Sequence, residues 1–286
     1  MDKIIKESQE TCDFCRAENF TVSHGERERV DDDVDVDDDV EAEETWGRVK
    51  TPYCITGANM FRLSGPNNGL VLSRIHHLLE LGPQELEGMM NCCRTWYSKV
   101  HQSDPSLVAP MMLWDTLGHS GASQIHPHIQ LWLGRDYEGQ FNLLERHARD
   151  YRQKHGSNYY QDLVELHTRL GLAVTHGQAT ALVPLTSHKD HEVMIISREV
   201  GPDFLHLFTR VMEMYNEKLG VFCRSLGMRW PRLDRRSGLA ILRVGSRGAC
   251  DSQISDVSSL ELYGVFNVNV EPVLTINTLR AVLEHA

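Results

Sequence analysis

The sequence predicts an α+β fold of two tandem domains, each an antiparallel sheet with packed helices. Three observations predict it. A chain of 286 residues that is 41% hydrophobic can bury one large core, or two of roughly 140 residues each. Short apolar runs bounded by Gly and Pro alternate with longer stretches of helical period. The order of these elements (strand pair, helix, strand pair) occurs twice.

Taken in chain order, residues 1–30 form an N-terminal segment carrying Cys12-Asp13-Phe14-Cys15. Residues 31–44 read DDDVDVDDDVEAEE, with ten acidic groups and no basic one. Such a run repels itself and buries nothing, so a solvated mobile loop is expected, and it lacks the Gly turn and terminal Glu spacing of a calcium loop. Residues 45–150 make the first domain. Within it, strand-like pieces over 46–63 and the turn Gly65-Pro66-Asn67-Asn68-Gly69 lead into Leu70-Val71-Leu72 as a hairpin. Pro83 opens a helix in which Leu86, Met89, Met90, Cys93, Trp96, Tyr97 and Val100 recur at helical spacing, a core stripe. A strand over 111–114, a loop over 115–123 and a strand over 125–133 follow. The polar, helical stretch 138–169 leads through a connector, residues 151–175, to the second domain, 176–286. There strands over 179–184 and 192–197 precede a helix over 204–226, and strands over 239–244 and 260–270 precede a closing helix over 276–284.

Composition narrows the function. The net charge of −11 argues against a nucleic-acid partner, although most of it lies in the acidic run and leaves a phosphate-bearing small ligand admissible. No apolar run approaches the roughly 20 residues that span a bilayer, so no membrane partner is expected. Seven cysteines at irregular spacing fit reduced thiols, and a cytoplasmic location is the expectation.

Two constellations carry chemistry. His126, His128 and Gln130 alternate in the expected strand, which places all three on one face, with Ile125, Ile129, Leu131 and Leu133 on the other. An imidazole attacks phosphorus well at neutral pH, leaves well from a phosphoramidate, and so suits covalent relay of a nucleotidyl group. A neighbouring amide such as Gln130 and the backbone amides of 121–123 can hold phosphoryl oxygens. The second constellation, Cys12-x-x-Cys15, offers two thiolates to one side of a tetrahedral zinc, with His76, His77 and one of His126 or His128 available to complete the set. A redox pair and unliganded thiols are the other readings. Cys92 and Cys93 point about 100° apart on a helix and read as packing residues. His188 and His191 sit in a charged turn and could meet a ligand's phosphate.

In these residues the chain resembles the histidine-triad superfamily, and within it the galactose-1-phosphate uridylyltransferase and nucleotide-sugar phosphorylase branch. Cys12-x-x-Cys15 is similar to that branch's N-terminal zinc pair. Ser73-Arg74-Ile75-His76 resembles the stretch bearing its third ligand, and Gly121-x-Ser123-x-x-His126-Pro127-His128-x-Gln130 resembles its active-site sequence. The resemblance implies two histidine-triad-like domains, the second degenerate, and a structural Zn2+ held by Cys12, Cys15, His76 and His126. It implies His128 as the nucleophile, Gln130 on the phosphoryl group, Gly121, Ser123 and the position of Asp115 on phosphate, and Glu261 on the sugar. The activity implied is nucleotidyl transfer by double displacement, from a nucleotide-sugar to His128 and then to phosphate or a sugar-1-phosphate, in a homodimer. A hydrolase using the same histidine and a non-catalytic nucleotide-binding protein are the alternatives. Two departures stand out: Asp115 replaces the usual Asn, and residues 239–253 lack the His-x-His of a second site.

Overall fold

The period-two apolar runs become strands, and all of them join one sheet. The computed structural model describes residues 2–17, 47–59, 67–234, 238–252 and 258–284, so the acidic run 31–44 lies outside the described residues. The strands are β1 Cys54–Ala58, β2 Asn68–Ser73, β3 Ala109–Asp115, β4 His128–Gly134, β5 Ala173–His176, β6 Ala179–Leu182, β7 Val193–Ser197, β8 Arg224–Arg229 and β9 Ala240–Ser246. They pair antiparallel in the order β1-β2-β4-β3-β8-β9-β7-β6-β5. The helices are α1 Asp2–Gln9, α2 Pro83–Ser103, α3 Gly139–His155, α4 Tyr159–Arg169, α5 Pro202–Glu213 and α6 Pro272–Glu284.

The strand order repeats between the two halves of the sheet. The first half runs β1-β2-β4-β3 and the second β6-β7-β9-β8, the same pattern, with β5 added at the outer edge. The halves are not separate sheets, however. Their third strands, β3 and β8, pair from Met111↔Arg229 to Asp115↔Ser225 and fuse them into one.

One face of the sheet is core. Val71, Ile129, Leu131, Met112 and Trp114 join Leu226, Met228, Leu242 and Val244 in a single apolar cluster that takes in α2, α5 and α6. Pro83 stands in the first turn of α2, where its missing N–H leaves no bond unmade, and Glu85 bonds back to the Gly82 amide. The other face carries three smaller apolar clusters. Ala17 and Phe14 pack on Ile55, Leu70 and Leu72. The α3–α4 hairpin lays Phe141 near Met111 and Trp132, and Tyr160 and Leu163 on Ile196 and Ile241. On the same face Gln130, Leu113, Asp115, Ser225, Gly227 and Arg243 are half-buried and His128 is buried, and this strip is the candidate cleft.

Several expected boundaries shift. The helix expected over 204–226 ends in a wide turn, Met214–Leu219, because Gly220 takes a left-handed conformation and its N–H returns to the Tyr215 carbonyl. That releases residues 224–229 to form β8. No strand forms over 260–270: Ser259–Tyr263 is a short 3-10 turn, and Leu260 and Leu262 face solvent at 44% and 84% exposure. Among the described residues this stretch pairs with no strand of the sheet. The helical stretch 138–169 breaks at Gly156, and Asn158 caps α4 by accepting from the Tyr160 amide.

Gly69 in β2 faces the core, where a Cβ would stand 2.6 Å from the fully buried Trp96 ring. Gly69→Ala is therefore expected to destabilise the protein by about 1–3 kcal/mol, read as a lower urea midpoint at unchanged slope.

Candidate active site and metal centre

Four side chains from three separate segments converge beside the cleft. After α1 the chain turns at Cys12, whose N–H bonds the Gln9 carbonyl, and Phe14–Arg16 winds into one 3-10 turn that brings Cys15 round to the same side. His76 follows β2, and His126 directly precedes β4. The ligand atoms of Cys12, Cys15, His76 and His126 all lie within 4.8 Å of one another and could hold a metal ion. His126 Nδ1 is 3.5 Å from each thiol sulfur and 3.2 Å from His76 Nδ1, and Cys15 Sγ is 3.2 Å from His76 Nδ1. A tetrahedral ion with metal–sulfur bonds of about 2.3 Å and metal–nitrogen bonds of about 2.0–2.1 Å gives edges of about 3.5 and 3.3 Å, so the donors fit.

Hydrogen bonds fix which nitrogen each ring presents. A carbonyl only accepts, so His126 Nε2, 2.8 Å from the Ser73 carbonyl, carries the proton and leaves the Nδ1 lone pair toward the thiols. His76 is held likewise, its Nε2 2.9 Å from the Ile5 carbonyl. Burial pushes the His126 pKa down to about 4 and that of His76 below its ordinary value, so both rings stay neutral. Burial and the neighbouring Cys12 push the Cys15 thiol up to about 11, a preference that a bound cation reverses. His77 points elsewhere: its Nε2 lies 2.7 Å from Asp2 and its Nδ1 accepts from the Leu79 amide.

The strand begins at His128, two residues later than the alternation suggests, so His126 does not share the row of His128 and Gln130. His128 Nδ1 donates to the His126 carbonyl at 2.8 Å, leaving the lone pair on Nε2. Burial lowers its pKa as well. Gln130, paired with Leu70 and Leu113, is half-buried on the same face.

Asp115, at the end of β3, accepts a hydrogen bond of 2.6 Å from Ser225. Burial raises its pKa, against the pull of Ser225, Arg247 and His128. Glu261 lies in the 3-10 turn after β9, 2.5 Å from Lys189 Nζ and 4.0 Å from Arg247, and Lys189 holds its pKa down. Glu261 borders a cavity of about 540 Å3 with His188, Lys189, Ser246, Phe266 and Asn267. His128 is not among its walls; Arg247, which interacts with both Asp115 and Glu261, links the two places. His188 stacks on Phe266 at 3.9 Å inside it. Gly121, at φ 101°, allows a turn that a side chain would strain, and the amides of Gly121 and Ala122 are bonded within it. Ser123 is exposed.

Sequence reasoning missed Ser225, Arg247, Lys189 and Phe14. Ser225 was hidden by reading 204–226 as helix, whereas the alternation of Arg224-Ser225-Leu226-Gly227-Met228-Arg229 was the available signal. Arg247 and Lys189 reach the site only through tertiary pairing and carried no local signal.

No family model and no curated protein sequence matches the chain. Solved structures do. A uridylyltransferase superposes with a TM-score of 0.65 at 15% identity, over 77% of this chain and 76% of that one. The chain shares the fold of this uridylyltransferase. An ADP-glucose phosphorylase from Arabidopsis thaliana, solved with bound ADP-glucose, gives 0.63 at 13% identity over 80% and 82% of the two chains. A DUF4931 family protein from Bacillus cereus gives 0.52 at 15% identity over 82% and 98%. Among the described residues of this chain no helix is long and apolar enough to cross a membrane.

Two outcomes follow from the site. Elemental analysis of the purified full chain is expected to find one metal ion that His76→Ala abolishes and His77→Ala leaves in place. For Asp115, the native pKa stands above the ordinary 3.8, so the folded state holds a proton that the unfolded state loses first. Stability therefore falls as pH rises through that window and stays lower above it. Asp115→Asn is expected to raise stability at pH 7, with the gain shrinking toward pH 3 in urea titrations.

Proposed function

We propose that the protein is a nucleotidyltransferase or phosphorylase that acts on a nucleotide-sugar by double displacement through nucleotidyl-His128. The observation that carries this reading is the tautomer of His128. Its Nδ1–H is committed to the His126 carbonyl, so the free lone pair is on Nε2, on a buried ring in the floor of the cleft. Nε2 attacks the α-phosphorus of the donor; the P–N bond forms as the P–O bond to the leaving sugar-phosphate breaks. An oxygen of phosphate or of a sugar-1-phosphate then attacks the same phosphorus, and the P–N electrons return to Nε2. Gln130 is suited to hold a phosphoryl oxygen, Ser123 and the Gly121 turn to border the phosphates, and Glu261 to accept from sugar hydroxyls.

The metal we assign is zinc, since two thiolates and two imidazoles in tetrahedral array are its preferred closed set. Bound there, zinc supplies a cross-link between the N-terminal segment, the end of β2 and the start of β4. Water as acceptor is the second reading. Asp115 favours it, because water needs a base and a phosphate dianion does not.

Incubation with α-labelled UDP-glucose and ADP-glucose, followed by an acid quench series, is expected to trap an acid-labile, base-stable phosphohistidine at residue 128. His128→Gly should abolish it and lower turnover on the order of ten-thousand-fold. Absence of any adduct with either donor, together with an unaltered His128→Gly protein, would sink the catalytic reading.

A further inference from the structure

We infer that Phe14, one of the two residues between the cysteines of the knuckle, is a positioning residue that holds the His128 ring in its attacking orientation. The inference rests on the proposed role of His128. The Phe14 ring lies 5.1 Å from the His128 ring at an interplanar angle of 74°, and 6.0 Å from the His126 ring at 83°. Both are edge-to-face contacts, an arrangement favoured by the opposite signs of ring edge and ring face. One phenyl group thus braces a candidate metal ligand and the candidate nucleophile together.

His128 needs such a brace. Its Nδ1 bond to the His126 carbonyl fixes the tautomer, but a single hydrogen bond leaves the imidazole able to rock about the axis through that bond. A rigid ring against it removes that freedom. Phe14 is itself backed by Ala17, Ile55, Leu70 and Leu72, of which the last two stand on β2 beside β4. Its backbone stands in the single 3-10 turn Phe14–Arg16, between Cys12 and Cys15 in sequence. The knuckle segment thus reaches His128 through a packed ring. Misplacing a reacting atom by about 1 Å can lower a rate about a hundredfold, so a brace of this kind has leverage on turnover with no contact to the ligand.

The test compares Phe14→Ala, Phe14→Leu and Phe14→Tyr in the full metal-loaded chain. Three quantities are read: metal per chain, the rate and KM of His128 labelling by UDP-glucose and ADP-glucose, and the imidazole resonances of His128 in ¹⁵N-histidine-labelled protein. Phe14→Ala is expected to keep its metal and to slow labelling roughly tenfold to a hundredfold, with KM changed by less than about twofold. Phe14→Tyr should recover to within about threefold, whereas Phe14→Leu, which fills space without a ring, should not. The His128 resonances should broaden or split in Phe14→Ala alone and in Phe14→Leu. Full-speed labelling in Phe14→Ala, equal rescue by Leu, or a loss that follows metal loss and is repaired by added zinc would each overturn the inference. If the wild-type chain forms no adduct, the transfer reading fails. The resonances then decide the brace by themselves: unchanged signals in Phe14→Ala overturn it, and split or broadened ones uphold it.

Discussion

The pairing of β3 with β8 is the constraint on which the rest of the molecule depends. Apart, each half would be a four- or five-stranded sheet with a long unpaired edge. Joined, they share one large apolar face on which α2, α5 and α6 bury their stripes. The opposite face, partly covered by the N-terminal segment and the α3–α4 hairpin, carries the polar residues of the candidate site. The register of the joint then decides which of them meet: Asp115 falls opposite Ser225, and the chain leaving β9 brings Arg247 toward Asp115. The cleft is thus a product of the seam between two repeats. Its far wall is secured separately, by Arg229. This nearly inaccessible guanidinium pairs with Glu145 of α3 and sits near the rings of Tyr137 and Tyr160, so the α3–α4 hairpin cannot lift without stranding a buried charge.

The tautomers of the three histidines explain how a candidate metal ligand and the proposed nucleophile can stand two residues apart without interfering. Each ring gives its N–H to a backbone carbonyl: His76 to Ile5, His126 to Ser73, His128 to His126. For the first two the donor is Nε2 and the exposed lone pair is Nδ1, close to the backbone and suited to a fixed ion. For His128 the assignment is reversed, and the lone pair is on the outer nitrogen, farther from the backbone. A change in backbone path between residues 126 and 128, from loop into strand, is what permits opposite choices. The carbonyl of His126 connects the two: the residue whose side chain faces the knuckle also sets the tautomer of the next histidine.

Much of this was legible in the sequence, for reasons specific to each element. The stripe from Leu86 to Val100 gave α2 because its period and its N-terminal Pro agree, and the alternation around Ile129 gave β4 because one face is fully buried. The Cys-x-x-Cys pair announced a shared ligand position by spacing alone, while the choice of His76 over His77 was illegible, since adjacent residues differ only in which way the turn after β2 points them. The run 260–270 misled because its alternation imitates a strand, whereas Ser259–Tyr263 winds into a 3-10 turn and leaves Leu260 and Leu262 in solvent. β8 was lost because Tyr215 to Leu226 continues a helical pattern that a left-handed Gly220 interrupts. Lys189 meets Glu261 across 72 residues of chain, and Arg247 approaches it only through the fold of the segment after β9, so no local pattern encodes the meeting.

The replacement of an amide by Asp115 changes the charge of the cleft, and the surrounding residues respond to it. A carboxylate near the nucleophile repels an incoming phosphate unless it is protonated or paired. Burial raises the Asp115 pKa, Ser225 donates to it, and Arg247 lies near enough to favour its charged form. Arg247 also approaches Glu261, which Lys189 already satisfies. Two carboxylates are therefore matched by two cations, and a donor phosphate entering beside His128 competes with Asp115 for Arg247. Protonation of Asp115 relieves that competition and turns an acceptor into a donor, which is the hydrogen-bonding sense of the amide it replaces. Around Glu261, the close Lys189 pair offers one acceptor and one donor to a ligand able to use both. Sugar hydroxyls do so, whereas a second phosphate would meet the Glu261 carboxylate. In the proposed reaction, this charge pattern would suit a donor with a single diphosphate and a neutral, hydroxyl-rich arm better than a chain of several phosphates.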